Sequence, residues 1–368
     1  MATQYIGARI KALREERKLS QSDLAEIFGF KDRQTISAIE TGERRVSAEE
    51  LMLAVNKLNA PLEYFTDPFR LVGEGQFSWR QTNVPSALLN AYQRIAGRWI
   101  AAFRVLAPQV GRPSPLLRRA LGLTRQARFE DAMEAADRFV AEFKLGDVPA
   151  KRLATVMERE LGVLVLRVDT FEGISGAACR LPELDVVLIN RKEVIGRQNF
   201  DLAHELFHIL TWDVMPPEHS EASKETSKNR VEQLANNFAS AVLMPRDQLA
   251  HCAEWRHLSK DNLTGSLNAL ADQLQVTSSA LKWRLVALEH LGAATARAIP
   301  EAALRNNGKD LDQAAPSPLF STSFMEIVGL AVDQGFVSMR KASDLLDLPI
   351  EELTTLFDDH GVPHPVEL

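Results

Sequence analysis

The chain has 368 residues and a formal net charge of −6. This length exceeds what one hydrophobic core usually organises, so we expect about two to four domains. No apolar run approaches the roughly 18 residues of a membrane span, and the N-terminus has the pattern of an amphipathic helix rather than a signal peptide. We therefore expect a cytoplasmic protein without a membrane segment. Cys179 and Cys252 lie far apart in the sequence, which argues against a disulfide framework or a cysteine metal site.

Residues 6–65 carry five short helical patterns with brief connections. Ser20 begins the second pattern and Gly29 ends it, and Ser47 begins the fourth, as the residue preferences of helix caps predict. The third pattern, residues 33–40, follows the second after a tight turn and presents polar side chains. Helix, tight turn and polar-faced helix in this order predict a helix-turn-helix domain.

Through the runs Leu19–Ala25 and Gln34–Gly42, about the first 65 residues resemble the lambda-repressor-like (Xre) DNA-binding family, with a turn over residues 29–33 that we interpret as one residue longer than usual. The resemblance implies a homodimer on a palindromic double-stranded DNA operator. The implied contacts to bases and phosphates are Gln21, Arg33, Gln34, Ser37, Arg44 and Arg45. Protein docking is the alternative, because acidic and basic side chains balance in this region.

Residues 76–129 contain nine arginines and no Asp, Glu or Lys. Guanidinium groups suit phosphates and acidic surfaces, so this Arg-rich segment is a candidate site for nucleic acid or an acidic ligand, and single-stranded or damaged nucleic acid bound there could activate the protein. The alternative is that the arginines pair with acidic groups elsewhere in the chain. The nine are Arg80, Arg94, Arg98, Arg104, Arg112, Arg118, Arg119, Arg125 and Arg128.

Helical patterns at residues 129–144 and 150–161 are followed by a change of period. Three runs rich in β-branched residues, 163–170, 174–180 and 185–190, predict a small antiparallel sheet. We expect 185–190 to be an edge strand that binds an extended substrate by strand addition.

The run His204-Glu205-Leu206-Phe207-His208 lies in an amphipathic helical pattern. Two histidines four residues apart project from one helix face and can bind one metal ion, with Glu205 directed at a water on that ion. The candidates for a third ligand are Asp213, Glu218, His219, Glu221, Glu225 and Glu232. Glu232 is preferred because it begins a helical pattern in which Asn236, one turn later, could accept the free N–H of a ligand histidine.

The runs 197–208, 232–239 and 243–245 look like those of the ImmA/IrrE metallopeptidases, a likeness that spans about residues 126–250. Asn199 and Asp201 depart from the residues expected before the first ligand. The resemblance implies Zn²⁺ on His204, His208 and Glu232, Glu205 as the catalytic base, and a repressor-like protein as the substrate in a stress, phage-response or toxin–antitoxin circuit. His219 or Tyr92 could stabilise the oxyanion.

Residues 267–291 form a further helix-turn-helix pattern, interpreted as a packing extension of the peptidase rather than a second DNA reader, and residues 306–318 predict a linker. We thus predict a multidomain, mainly α chain with an α+β zincin-like peptidase domain. The predicted boundaries are 1–67 for the DNA-binding domain, 68–125 for an Arg-rich helical connecting region, 126–256 for the peptidase, 257–304 for a helical extension and 305–368 for a C-terminal helical region.

Two functions remain open. The first is a DNA-binding transcriptional regulator with zinc-dependent endopeptidase activity, which cleaves a repressor or itself. The second is a transcription factor whose peptidase-like domain is a non-catalytic sensor or dimerisation module. Turnover that depends on Glu205 separates them.

Overall fold

The structure is a computed structural model that describes residues 3–113, 116–217, 220–222, 229–305 and 316–363. The chain divides into two compact units. The first unit comprises Met1–Gln76, Ala87–Arg112 and Leu330–Leu353, and the second comprises Phe77–Ser86, Pro113–Gly329 and Thr354–Leu368. Residues of the predicted connecting region therefore fall in both units. The predicted domain boundaries stay a prediction.

The first unit begins with the five predicted helices, which the structure confirms. They are α1 (Thr3–Glu16), α2 (Gln21–Phe28), α3 (Arg33–Glu40), α4 (Ala48–Lys57) and α5 (Leu62–Thr66). Ser20 accepts a hydrogen bond from the backbone N–H of Asp23, and Gly29 ends α2 in the left-handed region at φ 72°. The core of this bundle includes the fully buried side chains of Leu24, Ile36 and Phe65. Capping and apolar periodicity thus account for these helices together.

The predicted helical region 68–125 is only partly helical. The strand β1 (Gln76–Gln81) precedes the long helix α6 (Ser86–Gln109), and the described residues between α6 and Phe129 form no further helix or strand. The prediction was wrong at β1, where Phe77 and Trp79 alternate with polar residues and both are buried. Alternation of this kind is the period of a strand rather than of a helix.

The sheet of the second unit has five strands in the order β2-β4-β3-β1-β5. Its other strands are β2 (Val163–Val168), β3 (Ile174–Arg180), β4 (Asp185–Asn190) and β5 (Ser220–Ala222). β4 pairs in parallel with β2 and antiparallel with β3, and β1 pairs in parallel with β5. The sheet is therefore mixed, and the prediction of an antiparallel sheet with 185–190 at its edge was wrong. The continuous apolar run of β4 is buried on both faces, which is typical of a central strand.

The remaining helices of the described residues follow from Phe129 onwards. They are α7 (Phe129–Glu142), α8 (Leu153–Glu160), α9 (Ile195–Thr211), α10 (Arg230–Leu243), α11 (Lys260–Leu274), α12 (Ser278–Ala287), α13 (Ala293–Ala298), α14 (Thr322–Asp333), α15 (Met339–Leu346) and α16 (Ile350–Asp359). α9 packs on β3 and β4, and α10 packs on α9 and α7. None of the described helices combines the length and apolarity needed to cross a bilayer. The mainly α class with a small sheet in the second unit is confirmed.

Candidate metal centre

The predicted metal ligands lie on α9 and α10, in the interior of the second unit. His204 and His208 stand one turn apart on α9, with ring centroids 4.9 Å apart, and neither is exposed to solvent. Apolar neighbours such as Leu206 and Phe207 on the same helix are also fully buried. Every residue of α9 from Asp201 to Thr211 is buried, so this part of the helix lies in the core and carries two imidazoles into it.

Glu232 reaches the two histidines from the first turn of α10. Its Oε2 atom lies 3.1 Å from His204 Nε2, and its Oε1 atom lies 3.2 Å from His208 Nε2. The two Nε2 atoms are 3.1 Å apart. The fully buried side chains of Ala235 and Phe238 fix the rotation of α10. The structure therefore brings together the two histidines and the preferred third residue.

The other proposed ligands are placed differently. Asp213 is 77% exposed at its side chain and pairs with Arg180 at 2.9 Å. Glu221 belongs to β5, whereas Glu218, His219 and Glu225 lie outside the described residues. Tyr92, the second candidate for oxyanion stabilisation, is a buried residue of α6 in the first unit.

The contacts of His204 determine whether its Nε2 atom carries a proton or a free lone pair. Nδ1 lies 3.0 Å from Asn236 Oδ1, so Nδ1 donates its proton to that oxygen and Nε2 presents a lone pair. This lone pair then faces a carboxylate oxygen and a second imidazole nitrogen, an arrangement that needs a cation between the groups. A zinc ion bound tetrahedrally at about 2.0–2.1 Å from each donor separates the donors by about 3.3 Å. The observed separations fit such an ion.

Burial sets the protonation of the other groups. It lowers the pKa of His204 to about 4, which keeps the imidazole neutral and able to bind a metal near pH 7. It raises the pKa of Glu205 to about 8, and the positive charge of Arg80 acts in the opposite direction. Glu205, only 2% exposed, is thus a group that can accept and release a proton near neutral pH.

The pair Arg80 and Asp201 was missed at the sequence level. Arg80 on β1 places Nη1 2.6 Å from Asp201 Oδ1, and Asp201 is fully buried on α9, one turn before Glu205. Arg197 contacts the other carboxylate oxygen at 3.3 Å. The unexpected acid at position 201 was a usable signal, because a buried carboxylate requires a cationic partner.

Asn199, the other departure, has a structural contact. Its Nδ2 donates to the backbone oxygen of Gln275 at 2.9 Å, at the left-handed end of α11. Nearby, a Cβ at Gly196 would lie 2.5 Å from the backbone of Val276, so only glycine allows this approach. These contacts hold the turn between α11 and α12 against the start of α9.

A cavity of about 850 Å³ lies beside this centre within the second unit. Its lining includes Arg80 from β1, Phe200 from α9, Asn236 from α10 and Trp283 from α12. Asn236 connects the cavity to the centre, because the same side chain binds His204. Trp283 is 43% exposed, which is unusual for so large an apolar side chain.

Comparisons with known proteins agree with this geometry. A family model described as helix-turn-helix matches residues 10–65, and a model described as IrrE N-terminal-like domain matches residues 158–286. The chain joins a helix-turn-helix DNA-binding domain to an IrrE-like metallopeptidase domain. The radiation response metalloprotease IrrE of Deinococcus radiodurans is 32% identical over 108 residues, which are 28% of this chain and 31% of that protein. The chain thus matches about a third of the relative's length. No solved structure matched the chain.

In the helix-turn-helix domain, α2 and α3 are joined by residues 29–32, and Asp32 caps α3 by accepting from the backbone N–H of Thr35. Arg33 and Gln34 are exposed in the first turn of α3, and Ser37 is half-buried one turn later. These three residues share the helix that would enter a DNA groove.

The remaining predicted DNA contacts lie around this helix. Arg45 is exposed, whereas Arg44 pairs with Glu50 at 2.7 Å and Gln21 donates to Glu40 at 2.9 Å. A phosphate at Arg44 would therefore have to replace or share the contact with Glu50. Direct roles in DNA binding stay a prediction for all six residues.

Ion pairs between described residues engage at least six of the nine arginines in the Arg-rich segment. In the first unit, Arg98 pairs with Asp344 and Arg104 with Glu74. In the second unit, the pairs are Arg80 with Asp201, Arg118 with Asp185, Arg119 with Glu142 and Arg128 with Asp131. The segment is divided between the units, and these contacts favour the alternative in which its arginines pair with acidic groups of the chain.

Proposed function

We propose that this chain is a DNA-binding transcriptional regulator with zinc-dependent endopeptidase activity. Its substrate would be a repressor-like regulatory protein, or the chain itself. The observation that carries the proposal is the buried set of His204, His208 and Glu232, with Glu205 adjacent to His204. Two histidines and one carboxylate are the ligand set of catalytic zinc sites that keep a fourth position for water.

The residues of the chain have separate roles in this proposal. His204, His208 and Glu232 would hold Zn²⁺, which when bound acidifies a water and polarises the substrate carbonyl. Glu205 accepts a proton from the attacking water and passes it to the amine nitrogen as the peptide C–N bond breaks. Asn236 keeps His204 in the tautomer that directs Nε2 inward.

The helix-turn-helix domain would bind an operator as a homodimer, with Gln21, Arg33, Gln34, Ser37, Arg44 and Arg45 at bases or phosphates. Because the DNA-binding domain and the peptidase belong to one chain, the peptidase would cleave a regulator close to the operator. The DNA-binding role is also the reason for the cytoplasmic location that we propose. The name of the relative, a radiation response metalloprotease, favours a stress circuit over a phage-response or toxin–antitoxin circuit.

The test compares the zinc-loaded chain with Glu205→Gln. Each protein is added to a lysate of the source cells, and new protein N-termini are identified by mass spectrometry. We expect a small set of new N-termini with the unaltered chain and none with Glu205→Gln, while both bind one zinc ion. Equal sets of N-termini would reject the peptidase.

A second candidate is a transcription factor whose IrrE-like domain is a non-catalytic sensor or dimerisation module. It is favoured by the burial of the site, since His204, Glu205, His208 and Glu232 are each exposed by 2% or less and a peptide reaches them only after a movement. This function predicts that duplex DNA affinity changes on zinc binding while no N-termini appear. The same pair of proteins therefore separates the two functions.

A further inference from the structure

We propose that Arg80, held by Asp201, is a catalytic residue that binds the scissile carbonyl oxygen and stabilises the negative charge developing on it. The inference rests on the proposed peptidase function and deepens it. It assigns a task to one member of the Arg-rich segment and to the unexpected acid at position 201. Arg80 lies outside residues 158–286, where the chain matches the IrrE-like model.

The position of β1 places Arg80 at the cavity. This strand joins the sheet beside β3, and the backbone N–H of Thr82 donates to the backbone oxygen of Gly173 at 2.8 Å. Gly173 has φ 89°, and a Cβ at this position would lie 2.8 Å from the backbone oxygen of Thr82. This close approach fixes the end of β1, next to Arg80, at a residue that also lines the cavity.

Asp201 anchors the guanidinium of Arg80. Asp201 is fully buried, and its Oδ1 lies 2.6 Å from Arg80 Nη1. Residues four apart share a helix face, so Asp201 and Glu205 point to the same side of α9, about 6 Å apart at Cβ. The ion pair therefore holds the guanidinium within about one helical turn of the proposed base.

The cavity gives a ligand access to the guanidinium of Arg80. Arg80 and Asn236 both line the cavity of about 850 Å³, and Asn236 contacts His204. A peptide lying in this cavity would contact the guanidinium and Asn236, and it would reach the buried centre behind Asn236 only after a movement. A fixed donor in a site screened from water is most effective where charge develops during the reaction, and removal of one such donor costs about 10²–10³ in kcat.

The experiment uses the zinc-loaded full chain, with kinetics on a peptide spanning the cleavage site found in the lysate. Arg80→Gln is compared with Arg80→Lys and with Arg118→Gln. Arg118→Gln is a matched control, because Arg118 pairs with Asp185 in the same unit. After either substitution the carboxylate retains a second arginine, which is Arg180 for Asp185 and Arg197 for Asp201. We expect Arg80→Gln to lower kcat by about 10²–10³ with KM within about threefold, Arg80→Lys to be intermediate, and Arg118→Gln to match the unaltered chain.

A second readout does not need turnover. Inorganic phosphate, a tetrahedral oxyanion, is titrated calorimetrically into each zinc-loaded protein, and we expect about tenfold weaker binding to Arg80→Gln than to Arg118→Gln. Failure to find any cleavage would reject the peptidase and leave Arg80 to be judged by this titration. Equal phosphate binding, no phosphate binding, or a kcat unchanged within about threefold would overturn the role of Arg80.

Arg80→Gln could lose zinc because the buried negative charge of Asp201 is no longer balanced. In that case the double variant Arg80→Gln/Asp201→Asn replaces the ion pair by two neutral amide side chains. Recovery of zinc without recovery of kcat would support the proposal. Recovery of both would show that Arg80 serves the fold alone and would overturn it.

Discussion

Two buried polar clusters, one in each unit, show how a structural and a functional cluster differ. In the first unit, Glu74 lies between Arg9 at 3.1 Å and Arg104 at 2.6 Å, so its carboxylate meets only donors. In the second unit, the carboxylate of Glu232 meets the inward nitrogens of His204 and His208. In the first set every contact joins a donor to the carboxylate, whereas in the second set acceptors face one another and need a cation between them. A buried cluster of acceptors is therefore the stronger indication of a function.

The largest expected effect concerns chemistry rather than folding. Glu205→Gln keeps the size of the side chain but removes the base, so we expect kcat on the identified peptide to fall by about 10²–10⁴. Zinc content should not change and the thermal unfolding midpoint should not fall, which metal analysis and calorimetry would check. Loss of zinc in this variant would instead show that Glu205 helps to hold the metal, which would contradict its role as a base alone.

The first cluster should respond in the opposite manner. Glu74→Ala leaves Arg9 and Arg104 buried without their carboxylate, so we expect a loss of about 3–5 kcal/mol in the free energy of unfolding, measured with urea, and no loss of zinc. Asp344→Asn is the control, since Asp344 is 64% exposed and pairs with Arg98 at 3.7 Å. A change in the control should stay below about 1 kcal/mol. Equal stability of Glu74→Ala and the unaltered chain would contradict a structural role for the cluster.

A third carboxyl, that of the half-buried Glu158 with its Oε1 atom enclosed, extends the comparison to the effect of pH. Burial raises the pKa of Glu158 to about 7, against a smaller opposing hydrogen bond from Ser321. Because the folded pKa is the higher one, the penalty is absent below about pH 4.5, grows as the pH rises to about 7, and is complete above it. Glu158→Gln should therefore stabilise the chain by about 2–3 kcal/mol at pH 8 and by little at pH 4.5, as urea unfolding would show.

The control for this prediction is Glu160→Gln, an exposed position on the same helix. It should change the stability by no more than about 0.5 kcal/mol at either pH. A stabilisation by Glu158→Gln that is the same at both pH values would contradict the assignment of the raised pKa to this group.

The smallest expected effect is on zinc affinity. Asn236→Ala removes the oxygen that orients His204, so we expect the dissociation constant for zinc to rise by about 10–100-fold in a chelator competition. Asn237→Ala is the neighbouring control, because Asn237 donates to the backbone oxygen of Gln233 within α10. Equal affinities in the two variants would remove the proposed role of Asn236.

Local sequence patterns were sufficient for the helices of the helix-turn-helix domain and for the two histidines of the metal centre. Ser20, Gly29 and Ser47 mark helix ends by short-range hydrogen bonds, and His204 and His208 share a face because of the helical period alone. The helical pattern around Glu232 was enough to prefer it as the third ligand. Its distance to the two histidines depends on how α9 and α10 pack, which the sequence pattern does not give.

The missed features all depend on pairing between distant residues. Arg80 and Asp201 are separated by 121 positions, and nothing near either one specifies the other. The central position of β4 and the insertion of β1 between β3 and β5 likewise depend on which strands pair. The alternation of side chains along one strand does not specify its partners. For that reason the peptidase motif was predictable and the arginine beside it was not.

The central claim is that the acceptor cluster of the second unit binds a zinc ion. Its most direct test is the metal content of the purified full chain, beside that of His204→Ala, Glu232→Ala and the control Glu74→Ala. The account predicts one zinc ion per chain in the unaltered protein and in any folded Glu74→Ala, and none in the two ligand variants. Absence of zinc from the unaltered chain after zinc is supplied, or its retention in both ligand variants, would contradict the account.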